Sequence, residues 1–268
     1  MTKIKAYCQD FWRYRYLLYN LTGRDFKLKY RRSVLGVLWS VLNPLLMCLV
    51  MWAVFSSIFK VRGAGIDNFP VYLLTGQLMW NFFSEATSSA MGSVLGSAPL
   101  LRKVYIPKYI FPLEKVCFAL VNCATSFVAL FIVMLITGAP LHPTFILGLY
   151  PLLMLFIFSL GIGLLLSSMA VFFRDVMHLW GVFCTALMYF SAIFYDPFTM
   201  EGDGVLIVQA FIKYNPMYWY ITAFRAAVCK GELLSANMMI VCTVCAFVML
   251  VIGLISFRRH QDKFVLYI

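Results

Sequence analysis

Few side chains in this sequence have the makings of a reactive site, and those few are scattered. Glu85 is the one acid well inside an apolar stretch. An ionisable group in such a place is by default a functional candidate, and a packed or water-facing structural glutamate fits the sequence equally well. Cys242 and Cys245 have a C-x-x-C spacing, but they lie in a long apolar run without a nearby histidine or second cysteine pair. Metal or redox use therefore has no support, and His178 reads as structural. Arg174-Asp175 offers an ion pair, a hinge or a plain turn. Arg24, Lys27, Lys29, Arg31 and Arg32 form a basic cluster of the kind that sets membrane orientation. The phosphate-cradling pattern G-x-x-x-x-G-K-[ST] is absent, as are H-E-x-x-H, G-x-S-x-G and paired catalytic carboxylates. No catalytic residue, metal ligand or cofactor is assigned to this chain.

Aromatic residues make up 17% of the sequence. Many suit the interfacial belts of a membrane protein. Others fall inside apolar stretches: Trp39, Trp52, Trp80, Phe82, Phe83, Tyr189, Phe194, Tyr195, Tyr218, Trp219 and Tyr220. A flat ring with a polar tip offers an apolar face to sugar C–H groups and a hydrogen bond to hydroxyls. A line of such rings would let a polymer slide.

The elements that must position these residues follow from composition. Of 268 residues, 63% are hydrophobic and 12% charged, with a mean hydropathy of +0.87. A soluble domain carries about 25% charged residues and must cover itself with polar surface. The chain is therefore read as an all-α integral membrane protein. Runs free of Asp, Glu, Lys and Arg predict six spans near 34–59, 70–97, 116–137, 146–172, 176–195 and 233–257. Lys and Arg number 17 in the segments assigned inside and five outside, which places both termini in the cytoplasm and directs most of the +11 net charge there.

Three segments are neither spans nor simple loops. Residues 1–32 lack the apolar core of a cleavable signal, and Ile4, Tyr7, Phe11, Tyr14, Leu18 and Leu21 recur at helical spacing. They predict an amphipathic helix in the interface plane. Residues 98–113, between spans two and three, mix basic and large apolar residues with three prolines. A short helix presenting Leu101, Val104, Tyr105 and Ile106 to another protein and a membrane-hugging loop fit equally. Residues 196–232 hold two apolar stretches around Asn215-Pro216, each too short to cross, and predict a pair of re-entrant helices. The domain in between runs from 33 to 257, with 258–268 as a cytoplasmic tail. Small residues from Ser84 to Ala98 in span two would allow close helix packing or line a pore.

Four motifs, in order, resemble those of ABC-2 type permeases that export polysaccharide and teichoic acid. Residues 29–46, KYRRSVLGVLWSVLNPLL, look like that family's entry to the first span. Phe172-Phe173-Arg174-Asp175-Val176 resembles its FRD element, and Ser191-Ala192-Ile193-Phe194-Tyr195 its SPIFY stretch, with Ala192 in place of proline. Asn215-Pro216-Met217 with Ala223-Phe224-Arg225 is similar to its NP…R segment. The resemblance covers about residues 10–260.

The resemblance implies a half-transporter without enzyme activity. Two copies pair, and each docks a separate ATPase subunit that holds ATP and magnesium. Leu100, Arg102, Lys103, Tyr105, Pro107 and Lys108 would grip that ATPase together with the N-terminal helix. Segment 196–232 would form the outer gate. The cargo would be a lipid-linked glycan, entering near Arg24, Lys29, Arg31 and Arg32 and threaded along the aromatics between the copies in the plasma (inner) membrane, with no nucleic acid involved. O-antigen, capsule, teichoic acid and rhamnose-rich polymers all remain open. The rival within the family is an exporter of a drug or simple lipid. A membrane acyl- or glycosyltransferase would need clustered acids or histidines, and an ion-coupled carrier would need more than Glu85 and shows no inverted repeat.

Overall fold

The computed structural model describes residues 2–31, 33–57, 68–104, 106–196 and 205–267, and among them every regular element is helical. The amphipathic helix α1 spans Thr2–Tyr30, followed by α2, Leu38–Ser57, and α3, Phe69–Gly96. A single turn, α4 (Ala98–Leu101), precedes α5, Ile110–Thr137. Next come α6, Leu149–Phe172, and α7, Val176–Tyr189. Two short helices follow, α8 (Val205–Tyr214) and α9 (Pro216–Arg225), before α10, Ala236–His260, and a closing turn, α11, Phe264–Tyr267.

The helix ends have local causes. The Asn68 side chain accepts from Val71 N–H at 3.3 Å, with Pro70 in the first turn, to start α3. Ser235 does the same for α10 through Met238 N–H. Gly138, at φ 68°, closes α5 in the left-handed conformation that glycine adopts freely, and Pro140 and Pro143 prevent its continuation.

Helices α3, α5 and α6 form the centre, and α10 packs along α6. At the α6–α10 crossing Gly161 and Gly253 face each other, and a Cβ on either would strike the other helix's backbone. Small residues let helices touch in this way when both surrounding solvent and core are apolar. Gly163 likewise lies against Ala90 of α3. Rings of Phe83, Phe158 and Tyr220 tie α3, α6 and α9 together, with centroids 5.9 and 5.4 Å apart.

Four helical stretches are long and apolar enough to cross a membrane: Leu38–Phe55, Ile110–Thr137, Pro143–Phe172 and Ala236–Lys263. They coincide with expected spans one, three, four and six. At 28 residues, about 42 Å, α3 is long enough, but its second half is rich in serine and other small polar residues. Span five, expected over 176–195, is a helix of only 14 residues, about 21 Å, because the chain turns at Ser191-Ala192. Residues 197–204 of the expected gate segment lie outside the described residues; the rest forms α8, α9 and a π-turn over Ala226–Lys230.

Candidate functional site

Three regions hold the residues singled out in the sequence. The first is a polar lock beyond the end of α7. Asn215 caps α9 by accepting from Met217 N–H at 2.9 Å, while its amide donates to Phe190 O and Ser191 Oγ, both at 3.0 Å. At the other end of α9, Arg225 is buried and donates to Tyr72 O (3.2 and 3.0 Å), Ala192 O (2.9 Å) and Ile193 O (2.8 Å). Its guanidinium carbon lies 3.4 Å from the centre of the Tyr72 ring, and the Tyr72 hydroxyl donates to Tyr195 O at 3.0 Å. Gly76 makes room, since a Cβ there would collide with the Arg225 guanidinium. The SAIFY and NP…R motifs are thus one cluster: the second donates side-chain N–H groups to the backbone of the first. Ala192 has φ 52°, a left-handed conformation that the proline ring forbids, so the family's usual residue does not fit this turn.

The second region is the set of aromatics. Trp39 and Trp52 on α2 are exposed at 42% and 44%, and Tyr189 on α7 at 58%. Phe194 is half-buried and stacks on Phe55 at 5.6 Å. Tyr195, Tyr218 and Trp219 are also half-buried; the Tyr195 hydroxyl donates to Tyr189 O, and Trp219 Nε1 to Lys213 O. Trp80 and Phe83 are corrected. Both are buried, and Phe83 packs against Phe158 and Trp180, because α6 and α7 cover that face of α3. They belong to the hydrophobic core. Phe82 and Tyr220 are buried in the same way. Sequence reasoning missed Phe183 on α7 and Phe190 just after it, which are exposed; their signal was the same place within the expected fifth span that singled out Tyr189.

The third region gathers α1, the second half of α3 and the start of α5. The second half of α1 runs alongside the start of α5 in the same direction. Leu21 packs with Ile106 and Phe111, Asp25 pairs with Lys115, and Lys29 bonds Glu85 at 2.8 Å. Glu85 Oε1 also accepts from Asn122 Nδ2 at 2.7 Å. Burial works to raise the Asp25 pKa, but Lys115 and Arg24 outweigh it and hold the carboxyl below the usual aspartate range. Glu85 is 16 residues into α3, about 24 Å from the start of that helix. There the acid has a lysine counter-ion from α1.

That pairing revises the basic cluster. Lys29 is committed to Glu85 and Arg24 to Asp25 at 2.9 Å, whereas Arg31 is exposed and Arg32 lies outside the described residues. Arg24, Lys27 and Arg31 still border a hollow of about 820 Å³ together with Tyr19, Asn20 and Val121. Between α3 and α5 Arg102 and Lys103 are exposed, Leu100 and Pro107 half-buried, and Tyr105 lies outside the described residues. Ile106 turns inward onto α1 instead of outward, and Lys108 donates to Gln261 O. Arg174 and Asp175 form an exposed turn without an ion pair between them; the Asp175 carbonyl accepts from His178 and Leu179.

Comparison with known proteins bears on what these regions serve. The ABC-2 type transporter family matches residues 16–229, most of the chain. The chain belongs to that family. As an ABC-2 type transporter it is similar to the O-antigen export system permease protein RfbA of Myxococcus xanthus, at 26% identity over 96% of both chains. It is also similar to RfbA of Klebsiella pneumoniae, at 25% identity over 92% of this chain and 93% of that one. The capsule polysaccharide export inner-membrane protein CtrC of Neisseria meningitidis is 24% identical over 90% of this chain and 89% of its own. All three are transport proteins by name. The matched span contains the outer lock, α1 from Tyr16 onward and the coupling segment, so the geometry above belongs to the part shared with the family.

Proposed function

We propose that this chain is the membrane subunit of an ATP-driven exporter that moves a lipid-linked cell-surface polysaccharide across the plasma (inner) membrane. The observation that carries the reading is near full-length similarity to permeases named for O-antigen and capsule export, in a chain without a nucleotide-binding pattern of its own. ATP and magnesium then belong to a separate subunit, two copies of which serve two copies of this chain. In this reading α3 and α7 complete six crossings, both termini are cytoplasmic, and α8 and α9 form the outer gate. The exposed aromatics of α2 and α7, with Phe194, Tyr195, Tyr218 and Trp219, flank the path of the glycan, and the hollow at Arg24, Lys27 and Arg31 receives the diphosphate end of the lipid carrier. An isolated headgroup contact of this kind draws most of its strength from charge and falls as salt rises.

The test is co-purification followed by reconstitution. The affinity-tagged chain should bring down an ATPase subunit and migrate as a dimer. Proteoliposomes holding both proteins should translocate lipid-linked glycan on addition of Mg-ATP, and those holding this chain alone should not. Recovery as a monomer without an ATPase, or transport only of small lipids, would overturn the assignment.

A further inference from the structure

After α10 the backbone makes a 3-10 turn over Gln261–Lys263 and then the short α11, which folds back under α6. Phe264 is fully buried, edge-on to Phe257 at 5.3 Å, in a small core with Val94, Leu164 and Val171. Phe172, the last residue of α6, meets three rings of this end of the chain: His260 at 5.5 Å, Phe264 at 6.0 Å and Tyr267 at 4.9 Å. Directly after Phe172 comes the exposed Phe173-Arg174-Asp175 turn. From the opposite side Lys108 donates its ammonium to Gln261 O and lies 5.7 Å from the Phe264 ring. Burial lowers the Lys108 pKa, with Asp262 acting against it, so this contact is partly withdrawn from water. One short tail therefore holds both cytoplasmic connections, the one between α3 and α5 and the one between α6 and α7.

We infer that the tail is a brace that joins the 98–108 segment and the 173–175 turn into one platform, on which the ATPase subunit seats. The inference rests on the exporter reading above. The platform exposes Val104, Phe173 and Tyr267 among the exposed cations Arg102, Lys103 and Lys263. A matching partner face is an apolar cleft rimmed by carboxylates, with charge governing approach and the rings governing residence. Without the tail, the two connections would rely at this end of the bundle on the packing of α3 against α6 around Val94, Leu164 and Val171.

The experiment uses the full chain and its ATPase subunit in nanodiscs, comparing wild type, deletion of residues 261–268, Phe264→Ala and Lys108→Gln. Hydrogen exchange of the permease alone reads the brace, and ATPase retained on the tagged permease reads docking. The deletion and Phe264→Ala should raise exchange at least tenfold in both 98–108 and 172–177 and retain less than a tenth of the wild-type ATPase, while exchange within α6 stays unchanged. Lys108→Gln, which keeps the buried ring, should move both readouts in the same direction by a smaller factor and serves if the larger changes prevent folding. Unchanged exchange in the two segments would overturn the brace. Raised exchange with full ATPase retention would overturn the platform. A wild-type permease that retains no ATPase would instead overturn the exporter reading, leaving the exchange comparison to decide the brace by itself.

Discussion

Burying a guanidinium is costly unless its N–H groups find acceptors, and Arg225 meets that cost with main-chain oxygens of Tyr72, Ala192 and Ile193. Arg225→Ala removes these bonds; Tyr72 O still accepts from Thr75 Oγ1 at 2.8 Å and Ala192 O from the Tyr72 hydroxyl at 3.4 Å, so Ile193 O is the acceptor left without its donor and the loss should be roughly 1–3 kcal/mol. Arg225→Lys keeps the charge but not the planar fork, so it should recover only part of that. Thermal unfolding in detergent checks both, with protease cleavage within 196–232 as a local readout. At Ala192 the left-handed backbone costs an L-residue about 1–2 kcal/mol. Ala192→Gly should therefore raise the melting temperature and Ala192→Pro should lower it sharply. The sequence contained the two motifs but not their contact. Arg225 bonded to the main-chain carbonyls of Ala192 and Ile193, about 30 residues away, leaves no pattern at those two positions, whose side chains accept nothing from it.

The same difference between pattern and partner holds for whole helices. The spacing of Tyr14, Leu18 and Leu21 marks one apolar face of α1, yet it does not say whether lipid or another helix covers it; the structure sets Leu21 against Ile106 and Phe111. Apolar runs marked the helices α2, α3, α5, α6 and α10 to within about six residues at either end, whereas at α7 a turn with no proline or glycine shortens the helix. The Lys29–Glu85 contact joins α1 to α3 with side chains 40% and 30% exposed, so solvent screens it. A double-mutant cycle with Lys29→Met and Glu85→Gln should give a coupling of about 0.5–1 kcal/mol. Transport by Glu85→Gln should stay within about twofold of wild type, by the same argument from a screened pair; its loss would point to ion coupling. Asp25 has a lowered pKa in the folded protein. Its stabilising share is full above the ordinary aspartate value of about 3.9 and is lost as pH falls through the lower folded value. Asp25→Asn should thus melt lower than wild type at neutral pH and converge with it in acid.

Across the whole molecule, burial is uneven. The apolar stretch of α2 is 11% buried and that of α6 is 61% buried, while α7 has Cys184 as its one buried residue among those described. The faces left open on α2 and α7 carry Trp39, Trp52, Phe183 and Tyr189, which is where a second copy or lipid must sit. Reporter fusions at residues 1 and 268 should both report the cytoplasm, and an external signal from either would reverse the orientation. The division between buried and open helices was not legible beforehand, because most of the spans are apolar on all sides in sequence. The opposed glycines at 161 and 253 carry this unevenness into mechanics. Backbone against backbone leaves no side chain to slide or re-pack, so α6 and α10 should behave as a stator, while α2 and α7, lightly fastened, take up the stroke. Spin labels across the first pair should keep one separation through the nucleotide cycle, and labels from α2 to α3 should not.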